Sequence, residues 1–289
     1  MLGSFWTGHR WMTWTEPAHR GVTGALLAKR RLLIEVMYPA ASKPTGSSRP
    51  AIARGRFPML VFAPGFLQCA GPYSPMLRAW ASAGYVVMTV NFPNSDCKAG
   101  PAATESDMVN QPGDISYAIT RILASPLAMS IDAHQIAVTG QSDGGDTVGA
   151  IAANNCCSDR RVVAVAVLSG AEWPPMPGPY FTHQPVPMLF AQGSADRINW
   201  PGCSVQMYRA DRARTRYYLN LLGASHTGPY WGVNKFERVV VRVGLEFFDR
   251  YVLGQAAAGT AMRKAGDVPH VAALYTAGRG RLTPGPCDN

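Results

Sequence analysis

The sequence has few charged side chains, no long apolar run and no internal repeat, and these absences exclude several protein classes. Charged residues make up 16% of the 289-residue chain, against about 25% in an average soluble domain, which argues against disorder. The longest strand-like apolar stretch, Val162 to Leu168, is far shorter than the ~18 residues of a membrane span. Glycine and proline recur without a period, which excludes collagen-like chains and solenoids. We therefore expect a globular chain without a transmembrane segment.

Zinc-binding and targeting signals are missing as well. No two of the six cysteines are spaced as CxxC, so a structural zinc ion is not predicted and we expect no metal or organic cofactor. The segment from Met1 to Arg20 has no continuous apolar core, so no signal peptide is visible. The even cysteine count nevertheless favours an oxidising compartment. Sequence leaves the disulfide pairing open among the cysteines, which are Cys69, Cys97, Cys156, Cys157, Cys203 and Cys287.

The chain carries a net charge of +9, concentrated between Arg20 and Arg56 and again between Arg209 and Arg216. Basic clusters can bind nucleic acid or anionic surfaces. No nucleic-acid-binding motif accompanies these clusters, so a solvated basic face is the better interpretation and no nucleic-acid partner is expected.

Strand-like and helix-like segments alternate along most of the chain, which predicts a mostly parallel central sheet covered by helices on both faces. Val162 to Leu168 is apolar throughout, as expected of a strand inside such a sheet. The segment from Asn91 to Gly113 has few periodic apolar residues and is predicted to be a long loop. We expect an N-terminal extension over residues 1–30, an α/β catalytic domain over 31–252 without a large lid domain, and a tail over 253–289 that packs on the domain or trails from it.

The strongest motif is Gly140-Gln141-Ser142-Asp143-Gly144-Gly145, which matches G-x-S-x-G. It follows a predicted strand and opens a predicted helix, which is the setting of a nucleophile elbow. Glycines flank the serine because larger side chains would collide with neighbouring backbone in so sharp a turn. The alternative is a glycine-rich turn with an incidental serine.

A serine nucleophile needs a base, and His226 is the candidate. It follows a predicted strand and comes after Ser142 in the chain, as expected of the base. The alternative is an ordinary capping or surface histidine. The remaining histidines lie before the sheet, before the elbow strand, in a proline-rich loop or in the tail, and they are His9, His19, His134, His183 and His270.

The base in turn needs an acid that orients its ring. Asp196 lies just past the predicted strand Val186–Ala191, so that serine, aspartate and histidine occur in the order of the α/β-hydrolase fold. An ordinary turn aspartate is the alternative. Asp146, Asp159 and Asp211 are weaker candidates, because they lie inside a helix, before a strand and at a helix end.

An oxyanion formed during acyl transfer needs two N–H donors. The backbone N–H of Asp143, directly after the serine, and that of Phe66, in the loop after an early strand, are the candidates. If the Asp143 side chain faces the acyl site, it will disfavour anionic substrates.

These motifs, together with Pro64-Gly65-Phe66, Gly193-Ser194-Ala195-Asp196 and Gly223-Ala224-Ser225-His226, resemble the bacterial cutinase and polyester (PET) hydrolase branch of the α/β hydrolases. They are also similar to the dienelactone-hydrolase-like and platelet-activating-factor-acetylhydrolase-like groups. The resemblance implies that Trp173 and the Phe66 ring line the substrate cleft; core or loop packing is the alternative for Trp173. Gln141 and Asp143 depart from the family, where histidine and methionine are common.

The resulting prediction is a serine carboxylic-ester hydrolase that works through an acyl-enzyme on short to medium acyl or aromatic esters, with small-molecule or polymeric substrates. The same three residues would also serve an amidase, thioesterase or acyltransferase, and a non-catalytic binding protein of this fold is the alternative of another class. We expect a monomer. The resemblance and the cysteines favour secretion.

Overall fold

The computed structural model describes residues 3–46, 49–183, 185–277, 282 and 285–287. Part of the predicted tail, residues 278–281, 283, 284, 288 and 289, therefore lies outside the described residues. The strands of the described chain are β1 (Trp6–Glu16), β2 (His19–Arg20), β3 (Leu26–Leu27), β4 (Arg30–Ala40), β5 (Phe57–Ala63), β6 (Val86–Asn91), β7 (Ile131–Gln141), β8 (Val162–Leu168), β9 (Met188–Gly193), β10 (Arg216–Leu221) and β11 (Ala272–Thr276). The α-helices are α1 (Ser74–Ser82), α2 (Gln111–Leu123), α3 (Asp143–Ala153), α4 (Pro201–Ala210), α5 (Lys235–Tyr251) and α6 (Ala258–Gly266).

The main sheet has the order β1-β4-β6-β5-β7-β8-β9-β10-β11 in the described chain. The six strands from β6 to β10 in this order run parallel to one another, whereas β1, β4 and β11 join through antiparallel pairs. β5, in the interior of the sheet, is buried along its whole length, as a strand covered on both faces should be. The predicted mostly parallel α/β fold is confirmed, and no separate lid domain is present among the described residues.

Helices cover both faces of the sheet. One face packs against apolar side chains of α2, α3 and α4, such as Ile119, Ile151 and Val205. The other packs against α1, α5 and α6, through residues that include Trp80, Phe247 and Met262. Because crossover helices cover a parallel sheet in this way, the loops at the carboxyl ends of its strands remain available for a site.

Three segments carry structure that the sequence patterns did not indicate. The predicted N-terminal extension contains β1, which pairs with β4 along eleven residues. The predicted tail contains α6 and β11, and β11 pairs with β10 at the other edge of the sheet. The predicted loop from Asn91 to Gly113 contains two 3₁₀ helices, of which the second is Glu105–Asn110, and α2 already begins at Gln111. Both edges of the sheet thus come from segments outside the predicted catalytic domain.

A buried cluster around Arg30 fixes the Glu105–Asn110 helix against the sheet. The guanidinium of Arg30, on β4, donates to both carboxylate oxygens of Asp107 at 2.7 and 2.8 Å. It also donates to both oxygens of Asp114, on α2, at 2.6 and 2.7 Å. Two bidentate pairs of this kind define both distance and orientation, so the segment that follows β6 is held in one place.

The six cysteines form three disulfides, which are Cys69–Cys97, Cys156–Cys157 and Cys203–Cys287. The first ties the loop after β5 to the segment after β6. The second joins adjacent residues after α3 and packs near Met176 and Trp173. The third ties α4 to the end of the chain.

Candidate active site

Ser142 lies in the sharp turn between β7 and α3. Its backbone has φ +57° and ψ −126°, a conformation that non-glycine residues rarely adopt. A Cβ at Gly140 would collide with the carbonyl of Gly144, and a Cβ at Gly144 would collide with that of Ala63. The two glycines therefore allow the turn to press against β5, which leaves the serine at the start of the helix.

Ser142, His226 and Asp196 are joined by hydrogen bonds although they are distant along the chain. Nε2 of His226 lies 2.9 Å from Oγ of Ser142, and Nδ1 lies 2.8 Å from Oδ2 of Asp196. All three side chains belong to buried residues. A carboxylate at Nδ1 favours the tautomer that keeps the proton there, which leaves the Nε2 lone pair for the serine hydroxyl.

The carboxylate of Asp196 is held on both oxygens. Oδ1 accepts from the backbone N–H groups of Ile198 and Asn199 at 2.9 and 3.1 Å. Oδ2 accepts from the side-chain amide of Gln192 at 2.7 Å, in addition to the histidine. Because every contact is a donor to the carboxylate, Asp196 has a fixed orientation toward the ring.

The loop that carries Phe66 passes directly beside the serine. A Cβ built on Gly65 would lie 3.1 Å from Cβ of Ser142, so only glycine allows this approach without displacement. The N–H of Leu67 donates to the carbonyl of Ser95 at 2.7 Å, and the Cys69–Cys97 disulfide adds a covalent tie a few residues later. Phe66 follows Gly65 in this loop and Asp143 follows Ser142 at the start of α3, and both residues line the cleft beside the serine. Their role as oxyanion donors stays a prediction.

A cleft of about 610 Å³ opens above Ser142 and His226. Phe66 and Trp173, both predicted to line a substrate cleft, lie in its wall. Trp231, which the sequence did not single out, lines the same cleft. Three aromatic side chains around one cleft suit flat or apolar acyl groups.

Carboxyl groups also line this cleft. Burial and the nearby charge of Glu105 raise the pKa of Asp143 to about 7, although its own backbone N–H and His226 act in the opposite direction. Burial likewise raises the pKa of Asp146 well above its usual range, against the hydrogen bond that it accepts from the backbone N–H of Ala171. That bond is 2.6 Å long, so Asp146 braces the loop before Trp173 rather than contacting His226.

Gln141 and Tyr73 are further site residues that sequence reasoning missed. The Tyr73 hydroxyl donates to Oε1 of Gln141 at 2.7 Å and accepts from the N–H of Gly65 at 3.3 Å. Nε2 of Gln141 lies 3.2 Å from Nε2 of His226 and donates to the His226 carbonyl at 3.3 Å. The one available signal was that Gln141 stands where the resembled family commonly has histidine.

The acids and histidines that were weighed against these residues have other partners. Asp159 pairs with Arg161, and Asp211 accepts from the N–H of Ala213 at the end of α4. His9 lies 2.8 Å from Glu35, on β4. None of these contacts involves Ser142.

No cluster of metal-binding side chains is present within the described parts of the chain. Of the described helices, none is both long and apolar enough to cross a membrane.

The fold matches that of a solved ferulic acid esterase from Streptomyces cinnamoneus, with a TM-score of 0.68 over 87% of this chain and 91% of that chain. Sequence identity is 17%, so this likeness concerns the fold alone. Together with the sharp turn at Ser142, it shows that the chain has the α/β-hydrolase fold.

The model of the PET hydrolase-like family (PETase) matches residues 45–256, a span that contains Ser142, Asp196 and His226. The chain belongs to this family and is a carboxylic ester hydrolase. A search of curated protein sequences found no match.

Proposed function

We propose that this protein is a serine esterase in which Ser142 is the nucleophile, His226 the general base and acid, and Asp196 the residue that orients the imidazole. The observation that carries the proposal is the unbroken series of hydrogen bonds from Ser142 through His226 to Asp196. A hydroxyl next to an imidazole loses its proton to Nε2 as it attacks, and the buried carboxylate stabilises the imidazolium that forms.

The proposed reaction has two steps. In the first, Oγ of Ser142 attacks the ester carbonyl, His226 takes the serine proton, and the alcohol leaves after receiving that proton. In the second, water attacks the acyl-enzyme with His226 again as base, and the acid is released. The N–H groups of Phe66 and Asp143 would stabilise the oxyanion in both steps.

Short to medium acyl esters and aromatic esters are the proposed substrates, with polyester as a polymeric candidate. The aromatic side chains in the cleft wall support this choice, because they offer stacking surfaces for flat acyl groups. A panel of p-nitrophenyl esters from acetate to dodecanoate, together with one aromatic polyester film, tests it. Much faster cleavage of the dodecanoate than of the butanoate would contradict an open cleft.

Labelling by a fluorophosphonate probe tests the residue assignment, because such probes react with activated serines. We expect one labelled site in the native protein and none in Ser142→Ala. His226→Gln and Asp196→Asn should label much more slowly. A folded native protein that does not label would favour a non-catalytic binding protein of this fold. Parallel assays with amide and thioester analogues separate the ester reaction from the amidase and thioesterase alternatives.

A further inference from the structure

The cleft is acidic although the chain as a whole is basic. The chain carries a net charge of +9, yet no lysine or arginine is among the described residues that line the cleft. The carboxyl-bearing residues that line it are Glu105, Asp143, Asp146 and Glu172. The carboxyl groups in the cleft wall lie much closer to a bound ligand than the basic groups of the outer surface do. A ligand that has entered the cleft is therefore exposed to a local negative charge, although the net charge of the chain is positive.

Asp143 differs from its neighbour Asp146 in that its carboxyl is only partly engaged. The residue is 9% exposed, and its Oδ2 has no hydrogen-bond partner among the described residues. In Asp146, by contrast, Oδ1 accepts a hydrogen bond from the backbone N–H of Ala171. A buried carboxylate oxygen without a partner is costly, and Asp143 is directly adjacent to the nucleophile, where an acyl group would be bound.

Among the described residues, a protonated His226 is the cation that acts on Asp143. Glu105 comes from the Glu105–Asn110 helix and Asp146 from α3, and both act on Asp143 as negative charges when ionised. Tyr73, in the 3₁₀ helix Gly71–Tyr73 directly before α1, is buried, and its pKa is raised to about 12 chiefly by burial and also by the charge of Asp143. A positive charge on a bound acyl group would therefore meet an uncompensated carboxylate.

The aromatic residues of the cleft favour the same kind of ligand. Phe66, Trp173 and Trp231 line the cleft together with the acids. The face of an aromatic ring attracts a cation, and rings combined with carboxylates are a recurrent way of holding quaternary ammonium groups. Neither contribution would stabilise a carboxylate on the acyl group.

We propose that Asp143 is a specificity-determining residue that makes the enzyme prefer esters of cationic acids, accept neutral ones and discriminate against acyl groups that carry a carboxylate. The inference rests on the proposed function, since it concerns which acyl groups the site accepts when Ser142 is the nucleophile. The chemistry remains hydrolysis: the ester C–O bond breaks, water supplies the hydroxyl of the acid, and the alcohol leaves with the proton.

Three ethyl esters with acyl chains of similar length test this directly: ethyl butanoate, monoethyl succinate and ethyl 4-(trimethylammonio)butanoate. Hydrolysis is followed in a pH-stat at pH 8, where Asp143 is largely ionised. We expect kcat/KM to fall about tenfold from the cationic to the neutral ester and about tenfold again to the anionic one, where each tenfold step corresponds to about 1.4 kcal/mol.

Asp143→Asn and Asp143→Ser retain the backbone N–H but remove the carboxyl charge. We expect each folded variant to lower the ratio of cationic to anionic kcat/KM by about tenfold. Glu246→Gln is the matched control, because it makes the same change in net charge on α5, outside the cleft, and should leave the ratio unchanged. The ratio should also persist at 0.5 M salt, since salt screens buried charges much less than surface charges.

The outcomes separate this inference from the proposed function. A native ratio near one overturns the inference, as does an unchanged ratio in a folded Asp143 variant while hydrolysis still requires Ser142. If both variants melt like the native protein but hydrolyse none of the esters, the carboxyl serves turnover rather than selection and the inference is equally wrong. Full activity in Ser142→Ala would instead overturn the proposed function.

Discussion

Nε2 of Gln141 lies 3.2 Å from Nε2 of His226, the same ring nitrogen that lies 2.9 Å from Oγ of Ser142. The Gln141 amide is oriented by two contacts: its oxygen accepts from Tyr73, and its nitrogen donates to the His226 carbonyl. A flipped amide would place two oxygens against each other at that carbonyl, so the nitrogen must face the ring. The amide N–H of Gln141 and the hydroxyl of Ser142 are thus both donors that face the Nε2 lone pair of His226. If Nε2 is protonated, its N–H faces the N–H of Gln141 and the two repel each other.

Gln141→Leu should move the acidic limb of the kcat/KM–pH profile to higher pH by about half a unit, because the imidazolium is no longer opposed by an amide N–H. The pH profile on p-nitrophenyl butanoate measures this shift. Gln68→Leu, elsewhere in the cleft wall, is the control and should leave the limb in place. An unshifted limb in Gln141→Leu would mean that the amide does not influence the base.

Activity on a neutral ester should decline as the pH rises through about 7, the raised pKa of Asp143. Below that pH the buried carboxyl is neutral, whereas above it the carboxylate would oppose the negative charge that develops on the proposed oxyanion. Asp143→Asn should remove this decline and leave the acidic limb in place. The measurement is kcat/KM for ethyl butanoate between pH 6 and 9, and a decline that persists in the variant would refute the assignment.

Replacing Cys69 and Cys97 by alanine should lower the free energy of unfolding by about 3 kcal/mol, because the bond closes a loop of 28 residues. Urea denaturation of the oxidised proteins measures the change. Cys156→Ala/Cys157→Ala is the matched control, since that bond spans adjacent residues and closes almost no loop. Equal losses in the two double variants would contradict the loop-closure explanation.

Arg30→Met should destabilise the fold by about 3–5 kcal/mol, because it leaves the carboxylates of Asp107 and Asp114 buried without their cation. The comparison is Arg242→Met, which breaks a single 3.7 Å contact between an exposed arginine and the partly buried Glu246 and should cost about 1 kcal/mol or less. Chemical denaturation of both variants checks the difference. A small loss in Arg30→Met would mean that the two acids become neutral at little cost.

Trp173→Ala should lower kcat/KM for a benzoate ester about tenfold and for the acetate ester by less than threefold, because only the larger acyl group stacks on the ring. Steady-state kinetics on the two p-nitrophenyl esters give the ratio. Trp200→Ala, an exposed tryptophan that does not line the cleft, should leave it unchanged. Equal losses on both esters would assign Trp173 to packing of the cleft wall.

The central strands and the order of Ser142, Asp196 and His226 could be predicted from sequence because they depend on local signals. β8 is a continuous apolar run, and the elbow glycines are required by contacts within a few residues of the turn. Each of these features is determined by residues that lie close to it in the sequence.

The edge strands of the sheet, the contact between Gln141 and His226 and the disulfide pairing could not be predicted in the same way. β1 mixes aromatic and polar residues and forms a strand because β4 offers it an unpaired edge, which is a long-range cause. β11 has the same origin against β10. The contact of Gln141 with His226 depends on side-chain conformations that no spacing specifies, and the cysteine pairing likewise requires distances between remote segments.

If Ser142 is the nucleophile, as proposed, its positive φ sets the stability of the fold against turnover at a single position. A serine in so unfavourable a backbone conformation costs on the order of 1–3 kcal/mol, and glycine there would relieve that tension while removing the hydroxyl. Under the proposed function, the lost stability is the cost of holding a reactive hydroxyl at the start of α3.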